Sequence, residues 1–102
     1  MSFGVLYVDD EINNLNSFKA AFRRDFNIHV AQSAREGRKI LDTNEIGVII
    51  TDQRMPGMTG IEFLESILTV YPDTIRVLLT GFSDMNAVMD AINRGQVYKY
   101  LV

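Results

Sequence analysis

Five short apolar runs alternate with four stretches of helical periodicity, and that alternation constrains the fold more than any other feature. Residues 3–8 (FGVLYV) form a short continuous apolar run, the pattern of a strand buried on both faces. Residues 46–51 (IGVIIT) are the most apolar strand, and residues 74–80 (TIRVLLT) a further one. Residues 27–31 (NIHVA) give a weaker strand, and residues 97–102 (VYKYLV) a fifth. Between them, Ile12, Leu15, Phe18 and Phe22 predict a helix over 11–24 with those residues on its inner face. Ser33 caps a second helix, with Glu36 as its capping-box partner and Ala34, Gly37, Ile40 and Leu41 facing inward. Ile61, Phe63, Leu64, Ile67 and Leu68 mark a third helix that stops before Pro72. Ser83 or Asp84 opens a fourth, carrying Met85, Val88, Met89 and Ile92 and ending at Gly95. Strands alternating with helices mean right-handed crossovers and a parallel sheet, here an α/β, doubly wound one.

In such a sheet the ligand crevice lies outside the carboxyl ends of the strands, at a topological switch point. Asp9, Asp10 and Glu11 follow strand one, Asp52 follows strand three, and Thr80 and Gly81 follow strand four. Singly these are ordinary: an aspartate after a strand is usually a turn former or cap, and a strand-end threonine reflects β-propensity. Together they place three aspartates, Asp9, Asp10 and Asp52, at one edge. Two like charges ~4 Å apart cost roughly 4 kcal/mol at an effective dielectric near 20. A hard divalent cation offsets this, and Mg²⁺ suits carboxylates, waters and a phosphate. The chain has no cysteine, and its one histidine, His29, lies in strand two, where a packed or exposed structural role is expected. With Mg²⁺ beside it, a carboxylate can attack a phosphoryl group. The Thr80 hydroxyl and loop N–H groups, at Arg54 and Gly81, are placed to bind phosphoryl oxygens.

Length and charge agree. One domain fits 102 residues, and a formal net charge of −3 argues against a nucleic-acid surface. No apolar run approaches the ~20 residues of a membrane span. The start MSFGVLYVDDE lacks the basic flank and apolar stretch of a signal peptide, so a cytoplasmic location is expected.

The stretches VLYVDDE, VIITDQRMPGMTGIEFL, VLLTG and AINRGQVYKYLV together resemble the receiver domain of bacterial two-component response regulators, over essentially residues 1–102. The resemblance implies a flavodoxin-like (CheY-like) fold with strand order 2-1-3-4-5. It implies Asp52 as the phosphoacceptor, Asp10 as a direct Mg²⁺ ligand, Asp9 as a ligand through water, and the Arg54 carbonyl as a further ligand. Thr80 would be the switch hydroxyl and Tyr100 the aromatic switch. The donor would be a histidine kinase or phosphotransfer protein. The domain would catalyse only its own phosphoryl transfer and dephosphorylation, and would switch a downstream output. RGQVYKYLV looks like receivers that precede transcription-activating ATPase or cyclic-dinucleotide-hydrolysing domains. The family also carries a lysine and a proline after strand five, then a fifth helix. The expected place of that lysine is one residue beyond Val102, so a chain ending there is expected to dimerise, swap its C-terminal elements or aggregate.

Three rival readings fit parts of the same pattern. A haloacid-dehalogenase-type phosphatase wants an acid two residues after its nucleophile, and position 54 is arginine. A flavin or nucleotide module wants a glycine-rich or hydroxyl-rich phosphate loop where this chain has DDE. A pseudo-receiver, acting only as an interaction module, would not need the acids and the threonine.

Overall fold

A computed structural model of the protein describes residues 3–80, 86, 89, 90 and 99–101. The elements run β1 (Gly4–Val8), α1 (Ile12–Phe22), β2 (Asn27–Ala31), α2 (Ala34–Thr43), β3 (Ile46–Asp52), α3 (Gly60–Ile67), β4 (Ile75–Leu79) and β5 (Lys99–Leu101). All strand pairs are parallel, in the order β2-β1-β3-β4-β5. This is the expected doubly wound order, with its switch point between β1 and β3. Residues 86, 89 and 90 of the expected fourth helix are helical; its other residues, and its caps Ser83 and Asp84, lie outside the described residues.

The pleat divides the strands into two faces. Leu6, Val8, Ile49 and Leu78 meet Leu41 of α2 and Ile61, Phe63, Leu64 and Ile67 of α3 in one buried cluster. Fully burying a side chain of this size stabilises the fold by ~1.5–3 kcal/mol. Gly37 of α2 lets that helix approach, since a Cβ there would meet Val8 and Phe63 at 3.1 Å. The opposite face carries Val5, Tyr7, Ile28, Val48 and Ile50 and is met by α1, with Phe18 packed against Tyr7 at 4.6 Å between ring centroids and the rings tilted by 46°.

Helix α1 departs from expectation. Of Ile12, Leu15, Phe18 and Phe22, only Leu15 is buried, while Ile12 is 49% and Phe22 41% exposed. Phe18, Phe22 and Phe26 instead wall a groove of about 390 Å³ whose floor is Val5, Ile28, Val48 and Ile50. The helical periodicity marked the apolar stripe correctly, but a stripe is buried only where another element covers it.

The caps also differ in detail. Ser33 Oγ accepts from the Glu36 amide at 3.2 Å, as expected, but the Glu36 carboxylate accepts from the Gln32 amide at 2.7 Å rather than from the cap residue. The reciprocal capping box is at α3, where Thr59 Oγ1 accepts from the Glu62 amide and Glu62 accepts from the Thr59 amide.

His29 is half-buried on β2, and its Nε2 is buried without a hydrogen-bond partner, which fits a packed residue.

Candidate functional site: an acidic crevice at the sheet edge

The crevice is assembled by register. Val8 pairs with Thr51 across β1 and β3, and Asp52 pairs with Leu79 across β3 and β4. Asp9 therefore leaves β1 beside the end of β3, and Thr80 leaves β4 beside Gln53. The Gln53 amide donates to the Leu79 carbonyl at 3.0 Å, which extends this ladder into the loop. Asp52 is the last residue of β3 rather than the first of the loop, so an interior strand, paired on both sides, sets its backbone.

Asp9, Asp10 and Asp52 each present one carboxylate oxygen within 4.8 Å of the others. Asp9 is buried at 3% exposure, Asp52 is half-buried and Asp10 is exposed. The donor set is hard oxygen only. That chemistry fits a hard cation of the Mg²⁺ class and gives a soft metal no ligand. The sequence expectation of three converging acids is met. Thr80 is buried at 8% exposure at the same edge, and Arg54 is exposed in the loop after β3. Gly81 lies outside the described residues, as does the side chain of Tyr100, whose backbone pairs with Leu78 in β5.

The loop from Gln53 to Thr59 explains the glycines of the motif. Gly57 adopts a φ of +83°, a left-handed conformation that other L residues enter at a cost. Gly60 passes against the backbone of Asp52: an added Cβ would sit 3.0 Å from the Asp52 carbonyl carbon and 2.8 Å from Leu78 Cδ1. Gln53 staples the loop, accepting from the Gly60 amide at its carbonyl, 3.0 Å, and from the Ile61 amide at Oε1, 2.9 Å. The start of α3 is thereby held against the end of β3.

Two residues at the site were not singled out from the sequence. Tyr7 Oη donates to Asp9 Oδ2 at 2.6 Å, and Asn14 Nδ2 donates to the same oxygen at 3.1 Å. The Glu11 amide donates to Asp9 Oδ1 at 2.9 Å. Burial first, and then the Asp9 carboxylate, push the Tyr7 phenol well above its ordinary pKa, so it remains a donor. The sequence signal was available: residues two apart on a strand share a face, which puts Tyr7 beneath Asp9.

A parallel sheet with acids converging at its β1/β3 switch point defines a doubly wound α/β domain with a cation-type crevice. The chain belongs to the response regulator receiver domain family, whose model matches residues 5–102. It is 33% identical over 98 residues to the hydrogenase transcriptional regulatory protein HoxA of Cupriavidus necator, covering 96% of this chain and 20% of that protein. The chain thus spans about a fifth of the length of that relative. Among solved structures, it is 30% identical to the signal receiver domain of an HD domain-containing protein from Pseudomonas fluorescens Pf-5, with TM-score 0.90, covering 99% of this chain and 82% of that one. It is 26% identical to the response regulator TrrA of Thermotoga maritima, in complex with Mg²⁺–BeF, with TM-score 0.84, covering 100% of this chain and 86% of that one. Among the described residues no helix is long and apolar enough to cross a membrane.

Proposed function

We propose that this domain accepts a phosphoryl group on Asp52 from a histidine kinase or phosphotransfer protein in a Mg²⁺-dependent reaction. The observation that carries the reading is the convergence of Asp9, Asp10 and Asp52 within 4.8 Å at the switch point. Asp10, Asp52 and the Arg54 carbonyl would hold the ion, with Asp9 acting on it through water. A bound Mg²⁺ neutralises and orients the phosphoryl oxygens. An Asp52 carboxylate oxygen attacks phosphorus, the O–P bond forms as the P–N bond to the donor imidazole breaks, and the imidazole nitrogen keeps the bonding pair. The product is an acyl phosphate at the end of β3.

Thr80 follows β4 at the same edge and is the hydroxyl that senses the new phosphoryl oxygens, with backbone N–H groups at Arg54 and Gly81 as further donors. Tyr100 in β5 is the aromatic that follows Thr80 between two positions. The output is transcriptional, as the name of the HoxA relative suggests for that protein. The location is the cytoplasm, where the kinase presents its phosphohistidine. The domain itself makes no contact with nucleic acid or membrane.

The 102-residue polypeptide also self-associates, as a dimer or swapped oligomer, because the groove between α1 and the sheet offers it an apolar surface.

The test is incubation with acetyl phosphate, with and without Mg²⁺, followed by intact mass. A phosphoryl adduct that requires the ion supports the reading. An adduct of equal yield in a chelator contradicts the metal dependence. No adduct under either condition, with a folded protein, favours a pseudo-receiver.

A further inference from the structure

Asp9 is held more firmly than orientation alone requires. A carboxylate offers about four lone-pair sites, two on each oxygen. Oδ2 accepts from both Tyr7 Oη and Asn14 Nδ2, at 2.6 and 3.1 Å, and is full. Oδ1 accepts from the Glu11 amide at 2.9 Å and keeps one site. Asp9 and Tyr7 are 3% and 5% exposed, so water has little access to replace either partner. The Tyr7 ring is fixed in turn by Phe18. The carboxylate cannot rotate to present both oxygens to the crevice without breaking these bonds.

That restriction separates two cations. Ca²⁺ takes six to eight oxygens in a flexible shell and accepts carboxylates singly or as chelates, whereas Mg²⁺ demands a compact octahedron and keeps its waters. A carboxylate with one open lone pair suits the second geometry and denies the first its chelating mode. We propose that Tyr7, assisted by Asn14, is a specificity-determining positioning residue of the crevice: by occupying Asp9 Oδ2 it leaves Asp9 one oxygen for a water-mediated contact with Mg²⁺ and withholds the chelating contact that would favour Ca²⁺. This rests on the reading of the crevice as a Mg²⁺ site. The plainer account, in which the two donors merely satisfy a buried carboxylate, gives a different expectation. On that account their removal weakens or strengthens both ions alike.

The experiment is calorimetric titration of the protein with MgCl₂ and with CaCl₂ at constant ionic strength, for wild type, Tyr7→Phe and Asn14→Ala. The readout is the ratio of the Ca²⁺ to the Mg²⁺ dissociation constant. Tyr7→Phe keeps the ring on Phe18 and removes only the hydroxyl. The ratio is expected to fall about threefold or more in Tyr7→Phe, below the 10–100-fold that partners of metal ligands commonly command in affinity. It falls in the same direction in Asn14→Ala. Asn14 is exposed on α1, so this second variant decides the matter if Tyr7→Phe fails to fold. An unchanged ratio in the folded variants, with wild type binding Mg²⁺, overturns this inference and leaves the Mg²⁺ site standing. A wild type that binds neither ion overturns the Mg²⁺ site, and this inference with it.

Discussion

Gly60 lies against the main-chain carbonyl group of Asp52, so close that a side chain at 60 would have to displace the end of β3 or the start of α3. The loop that carries the motif is therefore packed against the strand that delivers the carboxylate. Gly60→Ala forces that displacement and costs about 1–3 kcal/mol, the usual range for overpacking. Gly57→Ala meets nothing within 4 Å and suffers only from its φ of +83°, at about 1–2 kcal/mol. Urea denaturation measures both losses. Only Gly60→Ala is expected also to lower the rate of phosphoryl acceptance, because only it moves Asp52.

The crowding of Asp10 with Asp9 and Asp52 makes a prediction for the ion-free protein. Asp10→Asn removes one of three like charges and raises its stability by roughly 0.2–1 kcal/mol, the scale of an exposed charge pair. Mg²⁺ at ten times its dissociation constant stabilises the wild type by about 1.4 kcal/mol through mass action. Asp10→Asn loses most of that gain. Thermal melts with and without Mg²⁺ measure both effects, and an ion-free Asp10→Asn no more stable than wild type argues against repulsion in the crevice.

The α3 cap predicts a pH dependence. The Thr59 amide, and then the Thr59 hydroxyl contact, hold the Glu62 carboxyl below its ordinary range. A depressed folded pKa means stability that is present above the unfolded value, about 4.3, and is lost as pH falls through the lower folded value. The advantage of wild type over Glu62→Gln is therefore full at neutral pH and vanishes in acid. Thr59→Ala removes the cap oxygen itself and costs about 1 kcal/mol at neutral pH. Melting temperatures from pH 7 down to pH 3 show whether the two curves converge.

Much of this architecture could be read from the residues alone. Short apolar runs bounded by polar residues mark the strands, so residues 27–31 match β2 end to end, β1 and β3 deviate by one residue at one end, and β4 by one residue at each end. The three acids and Thr80 were legible because parallel strands bring all their carboxyl ends to one edge. The exposure of Ile12 and Phe22 on α1 was not, since periodicity reports a stripe and not its cover. The capping box at Thr59 was missed although T-x-x-E before an apolar run spells it. The Tyr7–Asp9 bond was missed because a tyrosine inside a greasy run counts first as core.

The groove walled by Phe18, Phe22 and Phe26 leads to a prediction about association. A polypeptide of these 102 residues should sediment as a dimer or larger species at high micromolar concentration. Phe22 is 41% exposed at the groove wall, so Phe22→Lys should shift the equilibrium toward monomer with little loss of fold. A wild-type polypeptide that stays monomeric and folded at that concentration refutes the proposal.

The central claim is that Asp52 is the phosphoacceptor. The most direct measurement is intact mass of wild type and Asp52→Asn after incubation with acetyl phosphate and Mg²⁺, followed by hydroxylamine, which cleaves acyl phosphates. A single phosphoryl adduct on wild type, removed by hydroxylamine and absent from folded Asp52→Asn, is the predicted result. An adduct of equal yield on Asp52→Asn would contradict it.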